Sequence, residues 1–159
     1  MKKLLVLSLV VCLLMSLSGC RTARVPGLDW NPEEMVELHL YQGAVPEDAH
    51  RKITRDQETI QLVARALFSL RVERDAVNED VYCGGIGTYF VFFREDLSRE
   101  VVLLGSSKKL LYTEEGFYKL RREFPLNPDA LWNSIEGESE WVGESKLPEI
   151  GSFPAPEVG

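Results

Sequence analysis

The sequence predicts a single α+β domain, with one antiparallel meander sheet, one main helix packed on one face and a short C-terminal helix. Three observations lead there. Four short strand-like runs follow one another between residues 88 and 121 across turn-length gaps, which implies an antiparallel meander. Residues 54–70 repeat their apolar positions with the period of a helix. Strands and helices fall into separate blocks and do not alternate, as in α+β folds.

The elements follow in order. Glu34 to Gln42 alternates, with Val36, Leu38 and Leu40 on one face and Glu37, His39 and Tyr41 on the other, so it reads as a half-buried strand. Gly43 to Ala49, with Pro46, is a loop, and Arg51 to Thr54 a second short strand. Thr54 with Gln57 fits a capping box at the start of a helix running to Leu70. Ile60, Val63, Ala64, Leu67 and Phe68 make its apolar stripe. Alone, a helix of this length is marginal in water, so it must pack on a sheet. Arg71 to Cys83 is polar and irregular, and Gly84-Gly85-Ile86-Gly87 is turn-prone. The meander strands are Thr88 to Phe93, Glu100 to Leu104, Lys108 to Thr113 and Phe117 to Arg121. Asn127-Pro128-Asp129 starts the last helix: Asn caps, Pro fits the first turn and Asp suits the dipole. Leu131, Trp132 and Ile135 give it an apolar edge, and it ends near Gly137.

The first strand of the meander is apolar on both sides. Tyr89, Val91 and Phe93 point one way, Phe90 and Phe92 the other. With the main helix on one face, the other leaves an exposed aromatic patch unless the second helix covers it, and such a patch is expected to bind a partner or ligand.

Outside the domain, placed at residues 34–136, the chain changes character. Met1-Lys2-Lys3 is basic, and Leu4 to Leu17 is apolar apart from Ser8 and Ser16. That run is too short for a relaxed membrane span of about 20 residues and reads as an export signal over residues 1–19. Leu17-Ser18-Gly19-Cys20 resembles the lipobox of bacterial lipoproteins. The resemblance implies cleavage before Cys20, a diacylglycerol on its thiol, and residence on the cell membrane or outer membrane with the domain outside the cytoplasm. Two acyl chains on one thiol anchor durably where one holds reversibly. Residues 20–33, with Pro26, Gly27 and Pro32, read as the lipidated Cys and a tether; residues 137–159 read as a flexible acidic tail.

A second resemblance covers about residues 35–136. Ile53-Thr54-Arg55-Asp56, Leu67-Phe68-Ser69-Leu70, Gly84-Gly85, Tyr89-Phe90-Val91-Phe92-Phe93 and Leu131-Trp132 occur in an order similar to that of small Firmicutes lipoproteins that carry no assigned activity. It implies a compact extracytoplasmic domain and transfers no chemistry.

Charge and cysteines narrow the function classes. The formal charge is −7, and loss of Lys2 and Lys3 with the signal takes it to −9. An acidic surface argues against nucleic acid as a partner and against lying flat on anionic lipid. Cys12 leaves with the signal and Cys20 becomes a thioether, so Cys83 remains as a lone thiol, buried and inert or reactive.

No chemical constellation stands out. Gly84-Gly85-Ile86-Gly87-Thr88 lacks the lysine of a phosphate loop and precedes a strand instead of following one. Its backbone N–H groups could still line a small notch, with Tyr82, Gly84, Gly85, Gly87 and Tyr89 as candidate binding residues. His39 and His50 are expected to be solvated and too few for a metal site. No Gly-x-Ser-x-Gly occurs, and the carboxylate pairs sit at turns or ends. The expectation is a non-catalytic, membrane-anchored binding or interaction module without a cofactor. Its partner would be an envelope protein or, in the alternative, a small ligand captured for a sensor or transporter.

Overall fold

The computed structural model describes residues 23–75 and 86–150. Among these, the fold is α+β, with one antiparallel sheet and two helices. The strands are β1 (Met35–Gln42), β2 (His50–Thr54), β3 (Val72–Asp75), β4 (Thr88–Arg94), β5 (Arg99–Leu104), β6 (Leu110–Thr113), β7 (Gly116–Leu120) and β8 (Glu140–Trp141). The helices are α1 (Gln57–Phe68) and α2 (Pro128–Ser134). The spatial order is β3-β7-β6-β5-β4-β1-β2-β8, with every neighbouring pair antiparallel. Strands β4 to β7 form a meander, and β1 with β2 extends it on one side.

Local chemistry sets the ends of the elements. The cap of α1 is Asp56 and not Thr54: its carboxylate accepts from the Thr59 amide at 2.8 Å and the Thr59 hydroxyl at 2.6 Å. Thr54 instead accepts from the Asp56 amide at 3.1 Å. A charged oxygen at the helix N-terminus outcompetes a hydroxyl two residues earlier. Asn127 caps α2 through the amides of Asp129 and Ala130. A register shift between Met35 and Glu37 turns Met35 inward, fully buried, and leaves Val36 half-buried.

Two strands lie where no strand is expected. The sequence of β3, Val-Glu-Arg-Asp, shows no apolar alternation because it is an edge strand with little to bury. Only two residues long, β8 pairs with His50 and Arg51 at the other edge.

Two apolar clusters sandwich the sheet. The first gathers Leu38, Leu40, Phe90, Phe92, Val102, Leu104, Leu111 and Leu120 with Ile60, Val63, Ala64 and Leu67 of α1. Fully burying each large aliphatic side chain is worth about 1.5–3 kcal/mol. Leu131 and Ile135, from α2 and its end, and Val25, Leu28 and Trp30 belong to the same cluster, so several segments share the cover. The second cluster holds Tyr41, Tyr89, Val91, Val101, Leu103 and Tyr112 beneath Ala49, Ile86, Val142 and Ile150.

That second cluster corrects the sequence reading twice. The expected exposed aromatic patch is absent among the described residues: Tyr89 and Val91 are 8% and 1% exposed, and Phe93 is half-buried. The cover comes from residues 142–150, read from their glycines and prolines as part of a flexible tail. Three apolar side chains, Val142, Leu147 and Ile150, are enough to dock this segment on an aromatic face. The described part of the expected tether also packs on the domain, because Trp30 sits 4.7 Å from the rings of both Phe68 and Phe92. The packed unit therefore spans residues 24–150 among those described.

Candidate functional site

Close backbone approach at the sheet's end builds the site. Gly87 precedes β4 with φ +74°, and a Cβ there would lie 2.4 Å from the Leu104 carbonyl oxygen. Gly43, just past β1, would bring a Cβ within 2.7 Å of the Asp48 carbonyl oxygen. The Ile86 amide donates to the Gly43 carbonyl at 3.4 Å, which links the two glycine segments. Glycine is required where a side chain would force such contacts apart.

A groove of about 590 Å³ opens at this end. One wall is the ends of β1 and β4, where the Gln42 amide donates to the Thr88 hydroxyl at 3.4 Å. Asp48 and His50 contribute from the β1–β2 connection, with His50 Nε2 3.5 Å from the Asp48 carboxylate. His50 Nδ1 is buried and has no hydrogen-bond partner among the described residues. Lys108 enters from the β5–β6 turn with φ +58°, its backbone N–H donating to the Gly105 carbonyl at 2.9 Å.

The opposite wall is α2, through Asp129 and the half-buried Trp132. Lys52 of β2 fixes that wall. Its ammonium donates to the Trp132 and Ile135 carbonyls at 3.1 and 2.9 Å and lies 5.6 Å from the indole centroid. A cation suits the carbonyl end of a helix and the face of an indole. The groove thus offers amide, hydroxyl, carboxylate, imidazole and ammonium groups beside one aromatic ring. Such a set orients a small polar molecule by hydrogen bonds.

Elsewhere, His39 departs from its expected place in solvent. It is 7% exposed, with its ring 4.5 Å from that of Phe93. Its Nε2 is 2.6 Å from Glu37, whose other oxygen accepts from Arg55 at 2.6 Å. Burial pushes the His39 pKa below the usual imidazole value, against the pull of Glu37. Burial also works to raise Glu37, but the bonds from His39 and Arg55 outweigh it and hold the carboxyl below its ordinary value.

The candidate residues separate. Gly87 lines the groove, whereas Tyr89 is buried in the second cluster, 6.4 Å from Tyr41 and edge-on to it. Tyr82, Gly84, Gly85 and the expected lipid-bearing Cys20 lie outside the described residues, as does Cys83. The sequence reading missed Gln42, Asp48, His50, Lys108, Asp129 and Trp132 as neighbours of Gly87. The available signal was the glycine at each strand end, Gly43 and Gly87; what joins them is strand pairing, which no single segment displays. No three His, Cys, Asp or Glu side chains among the described residues form a metal-holding group. No protein-family model, curated protein or solved structure matches the chain.

Proposed function

We propose that the chain is an extracytoplasmic lipoprotein, anchored through Cys20, whose domain is a non-catalytic binding module for a small polar ligand. The main helix's place against the first sheet face is part of this reading: it closes that face so that the strand ends present the functional surface. The observation that carries the proposal is the groove between the β1 and β4 ends and α2, where Gln42, His50, Thr88, Lys108 and Trp132 converge. Protein–protein interaction through the second sheet face loses its surface, since Tyr89 and Val91 are buried beneath Val142 and Ile150. Membrane anchoring is supported by the basic start, the apolar run and Leu17-Ser18-Gly19-Cys20.

The test is a thermal-shift screen of small polar metabolites on the full chain. A true ligand at about 100 times its Kd adds about 2.7 kcal/mol of stability. That gain should disappear in Trp132→Leu and Lys108→Gln, both of which alter the groove's lining. A gain that survives both substitutions would place the ligand elsewhere. A screen without hits, together with one reproducible partner cross-linked to the lipoprotein in its host, would replace ligand capture with protein interaction.

A further inference from the structure

The chain is acidic overall, yet four arginines crowd one sheet edge. The Val72 amide donates to the Ala23 carbonyl at 3.1 Å, and Arg24 forms a β-bridge with Arg71. On the other side of Arg71, its carbonyl accepts from the Arg121 amide at 2.9 Å. Arg24, Arg71 and Arg121 therefore stand side by side across three strands' width, with Arg122 next along the chain. Arg24, Arg121 and Arg122 are exposed and make no ion pair among the described residues. The Arg71 guanidinium caps the end of α1, donating to the Phe68 and Leu70 carbonyls at 3.0 and 2.6 Å.

Beside the row lies a groove of about 400 Å³, lined by Leu70, Arg71, Arg121, Arg122, Glu123 and Pro125. Its one carboxylate, Glu123, is 3.9 Å from the Lys109 ammonium. Like charges placed opposite one another on a sheet destabilise it. Arg71 is met by the helix-end carbonyls, whereas the exposed Arg24, Arg121 and Arg122 are free to meet an outside anion.

The position of the row says which anion. Ala23 is three residues from Cys20, a reach of at most about 11 Å even when fully extended. That is close to the Debye length of about 8–10 Å in physiological salt, within which basic side chains feel an anionic bilayer. Arg21 adds another positive charge in between.

We propose that Arg24, Arg71, Arg121 and Arg122 form the membrane-facing surface of the domain, set against the phosphates of anionic phospholipids around the anchor. The row fixes how the domain stands, because the acidic remainder of the surface is repelled from the same bilayer. This rests on the reading of Cys20 as the lipid-bearing residue.

The experiment uses the full lipidated chain carrying Cys83→Ser and Pro125→Cys, which leaves one free thiol, beside the arginine row. A fluorophore there reports energy transfer to acceptors on lipid headgroups. Vesicles of phosphatidylcholine alone are compared with vesicles containing about a third phosphatidylglycerol, whose surface attracts each nearby arginine by about fivefold in population. Transfer should be stronger on the anionic vesicles. The excess should fall by more than tenfold in Arg121→Gln/Arg122→Gln and vanish at about 1 M salt, where the screening length is about 3 Å. The salt arm uses the unsubstituted row, so it decides even if the double variant misfolds. A lipidated chain showing equal transfer on both vesicles, or an excess that survives salt, overturns the proposal alone. An intact mass without lipid on Cys20 overturns the anchor reading and the proposal with it.

Discussion

His39 shows how one side chain can be misread from a pattern and still be placed by physics. On an alternating strand it falls with Glu37 and Tyr41 on the side away from Leu38 and Leu40, which suggests solvent. That side is covered too, so the imidazole is buried between Glu37 and the Phe93 ring. The consequence is a pH dependence whose sign can be worked out. Burial lowers the folded pKa from 6.5, so below that value the unfolded chain takes up a proton that the folded chain resists. Stability present above the unfolded value is lost as pH falls toward the folded one. Glu37, also lowered, from 4.5, acts only at more acid pH. The nearby Arg51 and Arg55 guanidinium groups oppose the imidazolium. Urea midpoints at about pH 7.5 and 5.5 should fall for the native chain and fall less for His39→Gln. An equal fall in both proteins would remove His39 as the source.

At the scale of elements, legibility followed how much of the signal was local. The stripe of α1 from Ile60 to Leu67 is written within one helix, and the strand character of Thr88 to Phe93 lies within one run of aromatic and β-branched residues. The cap and proline of α2 were equally plain: Asn127 takes the amides of Asp129 and Ala130 as its sequence suggests. Asn127→Ala should cost about 1 kcal/mol in chemical denaturation, with Asn127→Ser near neutral. Both variants losing the same amount would show that the side-chain oxygen is not what holds this helix end. By contrast β3 and β8 were illegible, because an edge strand need not alternate. Their identity comes from their partners, Tyr118 and Leu120 for one, His50 and Arg51 for the other. The groove is hidden for the same reason, since its walls come from segments far apart in the chain.

At the scale of the whole molecule, both ends of the described chain complete the core. Prolines and glycines made residues 20–33 and 137–159 look like spacers, and composition alone hides the few large apolar side chains that decide the matter. Trp30 is the clearest case, 8% exposed against Phe68 and Phe92. Trp30→Ala should cost about 3–5 kcal/mol, a core-sized loss that a spacer residue would never show. A loss within about 0.5 kcal/mol, the range of surface substitutions, would return the segment to the status of a spacer. The same arrangement governs how the molecule bears load. Force applied at Ala23 meets first the bond to Val72 and the bridge from Arg24 to Arg71, contacts that peel open one after another. Further along come the Pro26 carbonyl, which accepts from the Thr113 hydroxyl of β6 at 2.9 Å, and then the Trp30 indole, packed against the rings of Phe68 and Phe92. Drag on the domain therefore enters the sheet at its edge strand, one contact at a time, before it reaches the indole.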